Sequence, residues 1–345
     1  MLAAMVDEIR VKGSVGRLHE SNQISTIYFG GGTPSLLSPV ELALLMNTIR
    51  ENFNVDADAE ITFEANPENI SPGNLLSWLS AGINRLSVGV QSFIDKDLIW
   101  MNRVHNASQS EAALRDIKEA GFKNYSIDLI FGMPTLTDDN WRRNVETVHS
   151  YAVPHIAAYA LTVEPSTALQ RMIETNKKEM VDPEKQADQF LILMEWMEEN
   201  GYEHYEISNF CKPGQRSKHN SNYWNGTPYI GIGPSAHSYN GIMRSWNISN
   251  NSMYISSVKS LEPYGSETLT TIQRLNEYIM TSLRTVEGLN LDYVNDCFGS
   301  IYSDKLDQSL SIYQQRSQML DEKGRLVLTK QGKLFADGIA AELFF

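Results

Sequence analysis

Three consecutive glycines, Gly30 to Gly32, follow directly after an apolar run that is rich in β-branched and aromatic residues. A glycine has no Cβ, so its backbone can approach a ligand closely and present N–H and C=O groups to it. A tight turn between a strand and a helix would explain the same glycines equally well. The motif is neither the GxGxxG of dinucleotide-binding folds nor a phosphate-binding loop, since no Lys-Ser/Thr pair follows it.

Glu64, Gln91 and Asp128 lie in or directly after three further apolar runs. The neighbours of Asp128 are apolar and are expected to be buried, where an unpaired carboxylate costs on the order of several kcal/mol. Taken singly, each residue has an ordinary structural explanation: an ion pair for Asp128, and capping of the following helix for Glu64 and Gln91. Together with the glycines, they favour a ligand site at one end of a sheet.

A second group of candidates combines imidazoles with large aromatic rings: His219, Tyr223, Trp224 and His237. A single histidine is more often a hydrogen-bonded structural residue than a ligand. A flat aromatic macrocycle, however, needs stacking partners and an axial nitrogen, and this segment offers both.

The elements that must position these residues alternate between β-rich runs and amphipathic stretches, which is typical of a parallel βαβ architecture. We expect strands at 24–29, 60–63, 85–90, 125–131 and 156–161, and helices at 39–52, 72–82, 108–121 and 140–151. The carboxyl ends of parallel strands form the active face of such folds. Five strands are too few for a closed eight-stranded barrel, so the sequence predicts an open, partial parallel β/α barrel.

The rest of the chain suggests two further units. Residues 166–265 are expected to form a lobe over the barrel mouth, helical to 205 and above all over 183–200, then irregular and rich in Asn, Ser, Gly and aromatic residues. Residues 266–345 are expected to form a winged-helix-like α+β domain, with helices at 271–285, 302–322 and 332–343 and a hairpin at 325–329. Residues 1–165 would then be the barrel domain.

Composition excludes several classes of protein. The 345 residues include 29 basic and 42 acidic side chains, a net charge of −13, which argues against a nonspecific nucleic-acid binder. No apolar run reaches the roughly 18 to 20 residues that span a bilayer, and no signal peptide is recognisable, so we expect a cytoplasmic protein without a transmembrane segment. The two cysteines, Cys211 and Cys297, exclude a disulfide framework and an iron–sulfur or zinc site made of cysteines alone.

The motifs occur in an order that resembles the radical SAM proteins related to oxygen-independent coproporphyrinogen III oxidase. They are YFGGGTPS at 28–35, EANP at 64–67, RLSVGVQSF at 85–93, Asn102-Arg103 and IDLIFGMP at 127–134. Two more motifs, YEISNF at 205–210 and HNSNYW at 219–224, resemble the HemW-type heme chaperones within that group. The resemblance covers essentially the whole chain.

The resemblance implies a pocket for S-adenosyl-L-methionine (SAM). Backbone groups would hold its methionyl end, a guanidinium would pair with its carboxylate, and polar side chains would bind its amino and ribose hydroxyl groups. In that order, these residues are Gly31, Gly32 and Thr33, then Arg103, then Glu64, Gln91 and Asp128. Which of the last three binds which group is not assigned.

The resemblance also implies heme trafficking, in which the protein binds heme or a porphyrin and passes it to an acceptor protein, membrane-associated or not. His219 is the first candidate for the axial ligand and His237 the second, with Tyr223 and Trp224 as stacking partners. Cys211 is a third candidate, provided that nearby basic residues lower its pKa. A coproporphyrinogen III oxidase and a non-catalytic winged-helix interaction protein are the alternative functions, and the HNxxYW motif favours the heme chaperone.

One departure from the family pattern is large. The family carries CxxxCxxC upstream of its GGGTP motif, and those cysteines hold a [4Fe–4S] cluster, but this chain has no cysteine before Cys211. The cluster ligands expected of the family are therefore absent, radical chemistry is not expected of this chain as written, and its status as an enzyme stays open. We expect a strand and the cysteine motif to precede Met1 in the natural protein, because a barrel without its first strand leaves an edge unpaired.

Overall fold

Strands and helices alternate through the first half of the chain, as the sequence predicted. The computed structural model describes residues 1–16, 23–257 and 263–345. The strands of this half are β1 (Gln23–Phe29), β2 (Asn54–Ala65), β3 (Arg85–Gln91), β4 (Tyr125–Phe131) and β5 (His155–Ala160). The helices are α1 (Leu2–Gly16), α2 (Pro39–Asn52), α3 (Pro72–Ala81), α4 (Asp95–Trp100), α5 (Ala107–Glu119) and α6 (Asp138–Ser150).

The five strands form one sheet in the order β1-β2-β3-β4-β5, with every neighbouring pair parallel. This arrangement confirms the open, partial β/α barrel. The strand predicted at 60–63 begins six residues earlier, at Asn54, because Asn54 and Val55 also pair with β1; the acidic residues between 54 and 60 interrupt the apolar pattern, and the register shifts there.

Two short strands extend this sheet beyond β5. After α7 (Ala168–Glu174) and α8 (Pro183–Glu199), the hairpin of β6 (Glu203–Glu206) and β7 (Asn209–Cys211) pairs antiparallel with β5 through β7. The helical interpretation of 166–205 is therefore wrong at its end, where β6 begins. Strands of four and three residues are too short to show a periodicity, and it is their partner β5 that makes them strands.

Side chains alternate across the sheet, and this alternation separates core from site. Along β2, Ile61 and Phe63 point toward the helices, where they join the main hydrophobic core with residues such as Leu86, Ile127 and Trp141. The alternate residues of β2 include Glu60 and Glu64, which therefore lie on the inner face of the barrel. Polar side chains reach the barrel interior without disturbing the packing of the helices.

The lobe after the hairpin contains one short helix, α9 (Lys218–Trp224), and a small antiparallel sheet. This sheet has three strands, the second of which in chain order is central, and a further helix lies between the second and third strands in the chain. The bounds are β8 (His237–Tyr239), β9 (Met243–Trp246), α10 (Asn251–Ser257) and β10 (Gly265–Thr268). The register pairs His237 with Trp246 and Tyr239 with Arg244.

The C-terminal region, residues 271–345, has a hydrophobic core of its own. Its elements are α11 (Thr271–Leu283), β11 (Leu289–Asn290), α12 (Leu291–Phe298), α13 (Ser300–Gln315), β12 (Met319–Asp321), β13 (Arg325–Leu328), α14 (Lys330–Lys333) and α15 (Ala336–Glu342). The helix predicted at 302–322 is wrong beyond Gln315, because Ser317 adopts a left-handed φ of 56° and the chain turns into β12. The last predicted helix is divided into α14 and α15.

Gly332 and Gly338 differ in the space available for a side chain, so substitution by alanine should change the free energy of unfolding in opposite directions at the two positions. A Cβ on Gly332 would lie 1.8 Å from the carbonyl oxygen of Gln318, which is held by the N–H of Thr329, whereas a Cβ on Gly338 would meet nothing within 4 Å. We expect Gly332→Ala to lower the free energy of unfolding by about 2 kcal/mol or more. Gly338→Ala, in helix α15, should raise it by about 0.5 to 1 kcal/mol. Urea denaturation followed by circular dichroism measures both, and equal effects would contradict the packing described.

Candidate functional site

A polar cavity of about 170 Å³ opens where β1 to β4 end. It is lined by Gly32, Thr33, Pro34, Ser35, Glu64, Ala65, Asn66, Ser87, Gly89, Gln91, Arg103 and Asp128. The structure thus brings together six of the seven residues that the resemblance assigned to a SAM pocket. The seventh, Gly31, directly precedes Gly32 in the chain. The topology explains this, because the four strands are parallel neighbours and their carboxyl ends share one edge.

The three glycines after β1 have different roles. A Cβ on Gly30 would lie 2.5 Å from the Tyr28 ring and 2.7 Å from Oε1 of Glu64, so this position must be small. Gly31 has a φ of +81°, a conformation that L side chains rarely adopt. Around Gly31 and Gly32 a Cβ would meet nothing within 4 Å. Their backbone therefore borders open space at the cavity, as a backbone that approaches a ligand requires.

Arg103 is fixed by neutral groups. One of its terminal nitrogens donates to Oδ1 of Asn66 at 3.0 Å and to the carbonyl of Gly89 at 3.1 Å. No carboxylate lies within ion-pair distance of Arg103 in the part of the chain that the structure describes. The guanidinium is thus held in place at the cavity wall with its charge free to pair with an anionic group of a ligand.

Two carboxyl groups, those of Glu64 and Asp128, line the cavity. Glu64 accepts a hydrogen bond of 2.7 Å from the Tyr28 hydroxyl, and burial together with the charge of Glu64 raises the pKa of Tyr28. Asp128 has no hydrogen-bond partner among residues 1–16, 23–257 and 263–345. Burial first, and then the Glu64 charge, raises the pKa of Asp128 to about 7, against the opposing effect of Arg103. The protonation of Asp128 therefore changes near neutral pH.

The helix α9 is anchored to the barrel by a buried carboxylate. Glu60, which is 4% exposed, accepts hydrogen bonds from the backbone N–H groups of Lys218 at 3.0 Å and His219 at 2.9 Å. The hydroxyl of Ser217 caps the same helix by accepting from the N–H of Asn220. Glu60 was not among the predicted residues, although an acid in an apolar strand is the signal that had singled out Asp128.

Both ring nitrogens of His219 are engaged in hydrogen bonds. Its Nδ1 lies 2.8 Å from the hydroxyl of Thr26, and its Nε2 lies 3.1 Å from the hydroxyl of Tyr223. The ring stacks on Tyr28 at a centroid distance of 4.8 Å. Burial lowers the pKa of His219, so its imidazole is neutral at physiological pH. Tyr28 thus touches both the cavity, through Glu64, and α9, through His219.

A row of aromatic rings leads away from His219. The rings of Tyr223, Tyr229 and Tyr239 follow at successive centroid distances of 5.0, 5.1 and 6.1 Å. His237 lies on the same face of the small sheet as Tyr239, since the two are separated by one residue on β8. Its exposed ring stacks on Trp246 at 5.9 Å, and neither of its ring nitrogens has a hydrogen-bond partner among the described residues.

Trp224 contacts a different part of the molecule. The guanidinium carbon of Arg284 lies 5.2 Å from the centre of the Trp224 ring. The structure therefore brings His219 and Tyr223 together and connects them to the strand of His237 through two further tyrosines. It places Trp224 at the contact with the C-terminal region. Tyr239, Trp246 and Arg284 had no local sequence signal that would have identified them.

Cys211 does not fit the role of iron ligand considered for it. Cys211 is fully buried in β7, and burial raises the pKa of its thiol to about 11, the reverse of the lowered pKa that an iron-binding thiolate needs. No three His, Cys, Asp or Glu side chains of the described ranges converge as metal ligands. The residues present therefore do not fit a [4Fe–4S] cluster.

Among the described residues, no helix is both long and apolar enough to span a membrane.

Asp128 predicts an unusual dependence of stability on pH. Its pKa in the folded protein, about 7, is above the ordinary value of 3.8, so the folded state binds more protons between these values and its stability falls as pH rises through them. We expect Asp128→Asn to raise the free energy of unfolding at pH 8 by at most about 4 kcal/mol and to have little effect at pH 4. Urea titrations at both pH values test this. A difference between the two proteins that does not change with pH would contradict the buried-carboxyl explanation, and Asp139→Asn, at a 97% exposed side chain, is the control.

Comparison with known proteins identifies the family of the chain. The family model described as the radical SAM superfamily matches residues 6–148. The heme chaperone HemW of Mycobacterium tuberculosis is 34% identical over 323 residues, 93% of this chain and 80% of that protein. The heme chaperone HemW of Bacillus subtilis is 32% identical over 319 residues, 92% of this chain and 84% of that protein.

Among solved structures, coproporphyrinogen III oxidase (HemN) from Escherichia coli superposes with a TM-score of 0.84, covering 99% of this chain and 82% of that one. At 23% identity this likeness shows the fold alone. The sequence relatives carry the family assignment, because they are at least 30% identical and are matched over most of their length. The chain belongs to the HemW family of radical SAM proteins.

Proposed function

We propose that this protein is a heme chaperone that binds SAM in the cavity at the barrel mouth and heme on the lobe beside it. The observation that carries the proposal is the position of Tyr28, which donates a hydrogen bond to Glu64 in the cavity and stacks on His219 of α9. The two sites thus share a wall. A ligand in one site would touch a residue that also orders the other.

The cavity fits SAM in the types of group it offers. Arg103 would pair with the carboxylate of the methionyl end, and the backbone of Gly31, Gly32 and Thr33 would lie along it, with open space beside the two glycines. Glu64, Gln91 and Asp128 supply acceptors and donors for an ammonium group and for ribose hydroxyls. SAM contributes a sulfonium and an adenosyl group when bound. The described residues do not fit a [4Fe–4S] cluster, so the proposal is limited to the binding of SAM.

The lobe fits heme through accessible aromatic faces and an accessible imidazole. His219 would have to give up a hydrogen bond to Thr26 or Tyr223 before it could bind iron, whereas the nitrogens of exposed His237 have no such partner to lose. The structure therefore favours His237 over His219 as the axial ligand, the reverse of the order proposed from the sequence. Tyr223 and Trp224 remain in the proposal as residues that shape the site. An acceptor protein for the heme, and transfer in the cytoplasm, are parts of the proposal that rest on the family alone.

The SAM site predicts losses of affinity upon two substitutions. Arg103→Met removes the guanidinium, and Asp128→Asn removes a charge at constant volume. Each should weaken SAM binding by about 1 to 3 kcal/mol in isothermal calorimetry at pH 8. Asp139→Asn should bind SAM like the wild type. Since Asp128→Asn is also expected to be the more stable protein, a loss of affinity there cannot be attributed to unfolding, and unchanged affinity in both variants would assign these residues to structure.

Heme binding predicts a difference between the two histidines. In hemin titrations followed at the Soret band, His237→Ala should weaken binding about tenfold or more, roughly 1.4 kcal/mol, and should change the spectrum of the complex. His219→Ala should retain the wild-type spectrum, and His149→Ala, a surface histidine of α6, should change nothing. If only His219→Ala alters the spectrum, the axial ligand is His219 and not His237. A wild-type protein that does not bind hemin in the micromolar range would overturn the heme chaperone proposal.

A further inference from the structure

Arg284, which directly follows α11, is in contact with three separate parts of the molecule. Its Nε donates to Oε1 of Glu206 in β6 at 3.0 Å, and its Nη1 donates to Oδ1 of Asp337 in α15 at 2.7 Å. Its guanidinium also lies over the ring of Trp224, the last residue of α9, at 5.2 Å. One side chain thus joins the barrel sheet, the C-terminal region and the helix that carries the HNxxYW motif.

We propose that Arg284 is a positioning residue for Trp224, and that heme retention consequently depends on how the C-terminal region is seated on the barrel. This inference rests on the proposed heme site. It adds Arg284, to which the sequence motifs gave no role, to that site. It also implies that a partner bound to the C-terminal region would alter the affinity for heme.

Backbone hydrogen bonds hold Arg284 and its neighbours in place. Its carbonyl accepts a hydrogen bond of 3.0 Å from the N–H of Ile207, and the N–H of Val286 donates to the carbonyl of Tyr205 at 3.0 Å. Thr285, between them, forms an isolated antiparallel bridge with Glu206. The segment 284–286 therefore adds to the edge of the barrel sheet, and the Arg284 side chain starts from a fixed point.

The acceptor of the Nε hydrogen bond is itself held tightly. Glu206 is 1% exposed, and its other oxygen accepts from the N–H of Ser208 at 3.0 Å and from the amide of Asn209 at 2.5 Å. A buried carboxylate without a cation would destabilise the fold, and this stabilises the ion pair between Arg284 and Glu206. In that position its guanidinium lies over the Trp224 ring, within the distance at which cation–π attraction operates.

The consequence for α9 is that its two ends are held by different parts of the chain. Glu60 of β2 binds the first N–H groups of the helix, as described above. Arg284 contacts the last residue, Trp224. Between these ends lie His219 and Tyr223. Release of the Arg284 contact would free the end of the helix next to Tyr223 while the end next to Glu60 stayed in place.

Arg216 provides a matched control. Its Nε and Nη1 also bind two carboxylates, Glu203 of β6 at 3.3 Å and Glu287 of the C-terminal region at 2.7 Å. Its guanidinium also covers an aromatic ring, Tyr205, at 5.2 Å. It therefore makes the same kind of link between barrel and C-terminal region, but it does not contact α9 through a ring of the HNxxYW motif.

The test compares Arg284→Lys with Arg216→Lys, each of which keeps the positive charge and loses the planar group. The rate of hemin loss to excess apomyoglobin should rise about 3- to 30-fold in Arg284→Lys and by less than about twofold in Arg216→Lys. In a Trp224→Leu background, which removes the ring, Arg284→Lys should cause no further increase. Thermal melts should show similar stabilities for the two lysine variants.

The outcomes separate the two proposals. If the wild type binds hemin and Arg284→Lys releases it at the wild-type rate, the positioning role of Arg284 is wrong while the heme site stands. The same conclusion follows if Arg284→Lys accelerates release equally with and without the Trp224 ring, because Arg284 would then act on the fold in general. If the wild type does not bind hemin, the heme chaperone proposal is overturned and this inference with it.

Discussion

The carboxylate of Glu60 is the contact on which the arrangement of both sites depends. It is buried in the inner face of β2 and bonds to the N–H groups that begin α9, so a barrel strand and a helix of the lobe share one polar contact. Its charge acts on the buried guanidinium of Arg85 in β3, where it opposes the lowering of the Arg85 pKa by burial. With α9 fixed in this way, His219 lies against Tyr28, and Tyr28 reaches Glu64.

The cavity at the barrel mouth contains an arrangement that a purely structural site would avoid. Two carboxyl groups, Glu64 and Asp128, interact unfavourably there, and Arg103 is bound by neutral acceptors rather than by a carboxylate. Stability alone would favour an ion pair or apolar side chains at these positions. This loss of stability is expected where a protein keeps charged groups available for a ligand, because groups that wait for a ligand have no partner in the fold itself.

Much of the barrel and of its mouth could be predicted from the sequence, because the signals are local. The runs at 24–29 and 125–131 are strands, and Gly32, Glu64 and Asp128 meet at one cavity as parallel strand ends must. What the sequence could not show depends on partners far along the chain. The hairpin of β6 and β7 is a pair of strands only because β5 is beside it.

The assignment of His219 shows the same limit at the level of one side chain. Its residue type and its aromatic neighbours favour an iron ligand, but the hydrogen bond between Nδ1 and the Thr26 hydroxyl joins residues 193 positions apart and cannot be recognised from the motif. Glu60 carried a local signal, as an acid in an apolar strand, but Arg284 and Tyr28 were missed for the same reason. Their roles depend on contacts with other elements, and their types alone are compatible with an ordinary surface or core position.

The bridge between Glu206 and Thr285 also has a consequence for folding kinetics. The β6 edge of the barrel sheet is covered by a segment that follows it by 78 residues, as the distance between Glu206 and Arg284 along the chain shows. Loop closure over such a length costs only slightly more entropy than over half of it, but it requires the intervening chain to have been synthesised. During translation, β6 is therefore an open strand edge until the ribosome has released Thr285, and an open edge is where strands of other chains pair. The nascent protein should depend on chaperones most during that interval.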